Sequence, residues 1–170
     1  MSLTTDITIT MSNTLSKTLD LSSPSDVLSL SKQYVLASGT SDDQADLMWH
    51  DKRTIDVSVT INDDIDLAGS LKDALGDTFT PLRIKALYIE NLSTLESLRV
   101  GPAAVANPWN TWIGGTQPYV IVPPSGALLL VAPKATAFTV TAGTGDILRV
   151  TANPGSVDVD YNIVVIGASA

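Results

Sequence analysis

"FTVTAGTGDILRVTANPGSVDVDYNIVVI" spans Phe138 to Ile166, and the fold class turns on how it is read. Apolar and polar residues alternate along "ILRV" and "VDVDYNIVVI", the period of strands that bury one face. Between them lie turn formers. "AGTGD" (Ala142–Asp146) offers two glycines that can take positive φ, and "NPGS" (Asn153–Ser156) joins the last two runs. Local chemistry alone therefore predicts three consecutive antiparallel strands.

The same alternation extends outward in both directions. It marks Thr5–Met11, Leu15–Leu21, Asp26–Val35, Ile55–Ile61, Leu82–Asn91, Ser97–Val100, Tyr119–Val122 and Ala127–Val131. "PPSG" (Pro123–Gly126) ends one run and starts the next. Strands recurring at roughly 8–15 residues have the rhythm of a sandwich or barrel, not of βαβ units. The expected fold is all-β: an antiparallel, jelly-roll-like β-sandwich. One short helix is expected at "AGSLKDALGD", with Ser70 as cap, Leu71, Ala74 and Leu75 on one face, and Gly76 as stop.

Residues 1–50 differ in texture. They are rich in Ser and Thr and carry little core-filling bulk, so they read as a strand-forming arm that pairs at a sheet edge or reaches a neighbouring subunit. Residues 51–170 then form the sandwich domain.

Composition narrows the chemistry. A chain of 170 residues is long enough for a substantial core, and with no cysteine it has neither disulfides, nor thiolate metal sites, nor a Cys nucleophile. The start "MSLTTDITIT" lacks the basic and apolar regions of a secretory signal, and the longest apolar runs are too short to span a membrane as helices, so cytosolic synthesis is expected. A net charge of −8 without a Lys/Arg cluster repels phosphate backbones, which disfavours nucleic acid as a partner.

Candidate functional residues are few. "DLMWHDKRTI" (Asp46–Ile55) holds the only histidine, His50, beside Trp49 and among Asp46, Asp51, Lys52 and Arg53. Catalysis by His50 needs a partner carboxylate; Asp51 would point to the opposite face of an extended chain, whereas Asp46 could serve in a helix. The segment reads instead as a corner joining arm to sandwich, with Trp49 as anchor and Arg53 available to pair across a subunit interface. "NDDID" (Asn62–Asp66) resembles the opening of a calcium loop but lacks its Gly and its bidentate Glu, so a solvated turn is expected. "GTGD" lacks the third glycine and following helix of a dinucleotide site. Asp158 and Asp160 in "VDVDY" are expected on one outward strand face. In "NPWNTWIGGTQPYV", Trp109, Trp112 and Tyr119 can close the sandwich, form a subunit interface or stack on sugars, and Trp109 and Trp112 are expected to face opposite ways. No cofactor, metal or catalytic residue is assigned.

Taken in order, "WHDKRTI", "DIDLAGSLKDALGDTFTPLRIKALYIEN", "PPSGALLLVAPKATAFTVTAGTGDILRV" and "YNIVVIGAS", with "TLSKTLDLS" near the start, resemble a family of small virion proteins of tailed phages and prophages encoded among head genes. The resemblance covers about Leu47 to Ser169. It implies a β-sandwich decoration or cement component of the capsid with no catalytic set. Its partners would be the major capsid protein or other virion proteins and copies of itself, with a trimer expected; it would be made in the host bacterial cytoplasm and reside on the capsid surface. A glycan-binding sandwich of a fibre or tail component is the alternative, and it requires Trp109, Trp112 or Tyr119 to be exposed. A cupin-like enzyme needs several metal-binding histidines, and the chain has one.

Overall fold

The computed structural model describes residues 2–69, 71–102, 106–115 and 118–170. Twelve strands run in chain order: β1 (Thr5–Ser16), β2 (Ser25–Ser38), β3 (Gln44–Ala45), β4 (Leu47–Ile55), β5 (Asn62–Asp66), β6 (Arg83–Asn91), β7 (Ser97–Pro102), β8 (Val120–Val122), β9 (Ala127–Val131), β10 (Phe138–Thr139), β11 (Ile147–Asn153) and β12 (Val159–Ala168).

Strands β4 to β12 form a sandwich of two antiparallel sheets. One sheet is ordered β4-β12-β6, with β9 and β10 following one another along the far edge of β6; the other is ordered β5-β11-β7-β8. The chain crosses between sheets at every connection except two: β7 pairs with its successor β8, and β9 leads to β10 on one sheet edge. That winding is a jelly roll, two sheets whose strands interleave in sequence.

Alternation fills the space between the sheets. Val159, Tyr161, Ile163 and Val165 of β12 point inward and meet Leu148, Val150 and Ala152 of β11; Leu87 and Ile89 of β6 and Leu98 and Val100 of β7 extend the same core. Tyr161 is fully buried because its hydroxyl has a partner: it donates to Asp63 at 2.7 Å. The outward residues Asp160 and Arg149 are polar and paired across strands, Asp160 accepting from Thr54 and Arg149 donating to Asp64.

Several expectations change. The three strands from Phe138 to Ile166 exist, but β11 pairs with β5 and β7 while β12 pairs with β4 and β6, so AGTGD, which closes only the single Thr141↔Gly145 bridge, and NPGS lead from one sheet to the other instead of pairing consecutive strands. Gly155 shows why such a corner needs glycine: its φ is +86°, and a Cβ there would stand 2.8 Å from Ile61 Cγ2.

The expected helix at AGSLKDALGD is absent, and no described residue is helical. Lys72 bridges Thr78, and Asp73 Oδ1 accepts the N–H groups of both Leu75 and Asp77, so a side chain captures the donors that a helix would have used. Ser70, the expected cap, lies outside the described residues.

The run Leu15–Leu21 is not a separate strand: β1 continues to Ser16, and the hairpin loop follows. Nor is Ile55–Ile61. Asp56 accepts the N–H and the hydroxyl of Ser58 and turns the chain directly after β4. NDDID, expected as a turn, is strand β5, and its carboxylates are drawn into cross-strand pairs.

Candidate interaction surface

Strands β1 and β2 form a hairpin paired from Thr5↔Leu36 out to Ser16↔Ser25. Because side chains alternate, the register sorts them by chemistry. One face carries Asp6, Thr8, Thr10, Ser12, Thr14, Ser29, Ser31 and Gln33, with Gln33 Nε2 donating to Asp6 at 2.6 Å, and is interrupted by Val27 and Val35. The other carries Ile7, Ile9, Met11, Leu15, Leu28, Leu30, Tyr34 and Leu36, interrupted by Asn13, Asp26 and Lys32. The arm is an amphipathic ribbon.

Its root and its outer part differ. At the root Leu36 is buried with Ala45, Ala86 and Ile166, and Leu3, Ile7 and Val164 pack around them, so the apolar face lies on the outer surface of the β4-β12-β6 sheet. A knot of polar contacts fixes this junction. Lys134 Nζ donates to Asp43 at 2.8 Å, Ala135 N to Asp42 at 2.7 Å, and the buried Lys85 ammonium to the carbonyls of Ser41 and Lys134 at 3.2 and 2.7 Å. Burial pulls the Lys85 pKa down, and nearby Arg83 adds to that pull; Asp42 and Asp43 oppose both. Beyond the root the same face is uncovered: Met11 is 52 %, Leu30 56 % and Leu15 75 % exposed. Beside the root, an open groove of about 540 Å³ is lined by Asp6, Ile7, Met48, Tyr88, Leu129 and Val164.

A two-stranded ribbon is marginally stable alone in water unless its apolar face packs on something. This one has cover at one end only. Exposed contiguous apolar surface with polar surroundings is the mark of an interaction site.

The residues singled out in the sequence lie apart from this ribbon. DLMWHDKRTI is no corner: from Leu47 it is β4, paired with β12 through Leu47↔Gly167 to Ile55↔Val159, so residues 47–50 belong to the sandwich. Trp49 points into the core and packs on Phe79 with ring centroids 6.4 Å apart, which leaves it no surface to offer a partner. His50 is exposed on the outer face of β4. Asp46 is not its partner, since that carboxylate accepts the backbone N–H and hydroxyl of Ser169.

Arg53 is already satisfied within the chain. Its guanidinium grips Asp63 through two hydrogen bonds of 2.6 and 2.7 Å, and Asp51 accepts a third. The Asp63 carboxylate holds the Arg53 pKa above its ordinary value, while burial first and then Asp63 push the Tyr161 phenol upward. Asp63 of β5 thus joins Arg53 of β4 to Tyr161 of β12. Replacing Asp63 by alanine strands the guanidinium and the phenol together, and we expect a loss of roughly 2 kcal/mol in unfolding free energy, against roughly 1 for Tyr161→Phe, both read from urea midpoints.

Trp109 and Trp112 do not face opposite ways. The loop turns between them, Trp112 Nε1 donates to Trp109 O at 3.2 Å, and the rings lie 5.8 Å apart. Trp109 is fully buried, packs edge-on against Phe138 and donates to Thr139 O at 2.9 Å. Tyr119 is half exposed, but Arg99 stands 4.9 Å from its ring centroid and occupies one face. The three aromatics form no single sugar platform.

Acidic residues do not converge either. Asn62 accepts from Thr151, Asp64 pairs with Arg149, and Asp66 caps the turn at Ala68. Among the described residues no group of three or more His, Asp or Glu side chains stands close enough to hold a metal ion. No helix there is long and apolar enough to cross a membrane. Comparison with family models, with curated proteins and with solved structures gave no match.

The arm is what sequence reasoning undervalued. Its signal was present in "ITITM" and "VLSLSKQYVL", two period-2 runs whose pairing register brings both apolar sets to one face.

Proposed function

We propose that this chain is a structural subunit of a phage particle, a decoration or cement component that stabilises the head by binding its surface in many copies. It is made in the bacterial cytoplasm and acts by contact, with copies of itself and with shell proteins, and not by catalysis. The observation that carries the reading is the amphipathic arm: a ribbon anchored on a rigid jelly roll, with most of its apolar face left open to solvent. Such a device suits assembly. Each contact is small, and repetition over a shell multiplies weak contacts into firm attachment.

The test is compositional. Particles purified from the phage or prophage that carries this sequence should contain the chain in amounts comparable to the major shell protein. Particles made without it should release their DNA at lower temperature. Particles lacking the chain altogether in the wild type would refute the assignment.

A further inference from the structure

The uncovered part of the arm is built to match itself. On its apolar face, β2 presents Asp26, Leu28, Leu30 and Lys32 in that order, and β1 presents Leu15, Asn13, Met11 and Ile9 opposite them. Lys32 lies on this face beside Tyr34, its ammonium 5.1 Å from the ring centroid. The two charges are of opposite sign and flank the leucines symmetrically. A two-fold axis across the strands, at the level of Ser12 and Ser29, sets Asp26 against Lys32 of the partner subunit. The same rotation sets Leu28 against Leu30 of the partner subunit, Ile9 against Leu15 of the partner subunit, and Met11 against Asn13 of the partner subunit, the one mixed pair of the contact. Rotation about an axis along the strands instead lays Lys32 over Ile9 of the partner subunit and Asp26 over Leu15 of the partner subunit, so of the two axes the crossing one is the one that pairs the charges with each other.

We propose that the arms of two copies stack face to face about this axis, closing the apolar ribbon into a small two-layer sandwich framed by two Asp26–Lys32 ion pairs. The proposal rests on the reading of the arm as an assembly element but not on what particle it serves. It continues a contact already present in the chain, since the root of the same face packs on a sheet through Leu36 and Ile7. The net charge of −8 and the acidic Asp26 on the face disfavour an anionic membrane as occupant. The arm contact is two-fold and joins copies in pairs. Each arm offers a face of only about 25 by 10 Å, judged from strand rise and spacing, so pairing in dilute solution is weak and concentration-dependent.

Sedimentation of the full purified chain from micromolar to several hundred micromolar tests this. Association should grow with concentration and vanish in Leu30→Asp, a substitution at an exposed position whose intact fold is checked by circular dichroism. Asp26→Lys alone and Lys32→Asp alone each place like charges together at both ends of the contact and should weaken association roughly tenfold. The double variant D26K/K32D should recover it. A mixture of the two single variants should associate with each other more strongly than either does alone. A chain that stays monomeric throughout would overturn the proposal. So would single reversals without effect, or an arm that is protected only on binding a shell protein.

Discussion

Trp109→Ala should cost about 3–5 kcal/mol of folding free energy, the largest loss expected from any single side chain here. Its indole is fully buried, lies tilted against Trp112, meets Phe138 edge-on and donates its N–H to Thr139 O, which also accepts from the Thr111 hydroxyl, so the cost of truncation is the cavity and the lost hydrogen bond. The melting temperature should fall by about 10 °C for a domain of this size, as followed by near-ultraviolet circular dichroism. Trp112→Ala, at a partly exposed site, should lose less than half as much. Equal losses at the two positions would mean that the loop does not close the sandwich as described.

Glu96→Gln should cost about 3 kcal/mol at neutral pH, and the loss should depend on pH. Glu96 sits in the β6–β7 connection and is almost completely buried, yet it is well satisfied. Oε2 accepts from Gly155 N at 2.7 Å, and Oε1 accepts from Ser156 N and from Val157 N at 2.9 Å. Burial by itself would raise its pKa; the N–H groups of Ser156, Gly155 and Val157 outweigh that and hold it below the ordinary value near 4.5. A carboxyl whose folded pKa is depressed contributes its full stabilisation above the unfolded value and loses it as pH falls through the folded one. The wild-type advantage over Glu96→Gln should therefore be constant above about pH 5.5 and shrink below pH 4.5. Urea midpoints across that range measure it, and a gap that widens on acidification would reverse the assignment. Physically, the carboxylate ties two inter-sheet connections at one end of the barrel-like roll.

The fold class was legible because alternation is a local property. Val159, Tyr161, Ile163 and Val165 read as one strand face in sequence and are one in space. Pairing is not local, and NPGS illustrates the limit: a Pro-Gly turn reverses the chain equally well within a sheet or between two sheets. Which occurs is decided by whether Leu148 and Ile163 share a sheet face or meet across the core, and only the assembled sandwich fixes that.

Charge misled the reading of NDDID. Five residues, four of them polar or acidic, look like a solvated turn, yet Arg53 and Arg149 arrive from other strands to neutralise Asp63 and Asp64, and the Thr151 hydroxyl donates to Asn62. The candidate surface was half legible. Ser/Thr richness marked residues 1–50 as an arm, but the apolar stripe appears only once Ile7 is set beside Tyr34 and Met11 beside Leu30 by the hairpin register. Trp49 and Trp109 attracted attention as interface candidates for their size, the same property that draws them into the core.

Hydrogen exchange of the arm amides, compared between dilute free protein and the assembled state, bears most directly on the idea that assembly covers the ribbon. Residues 9–15 and 27–32 should exchange rapidly when free and become strongly protected on assembly, while the amides of β11 and β12 stay protected in both states. Unchanged exchange along the arm, with protection gained only on the surface of the jelly roll, would contradict the account.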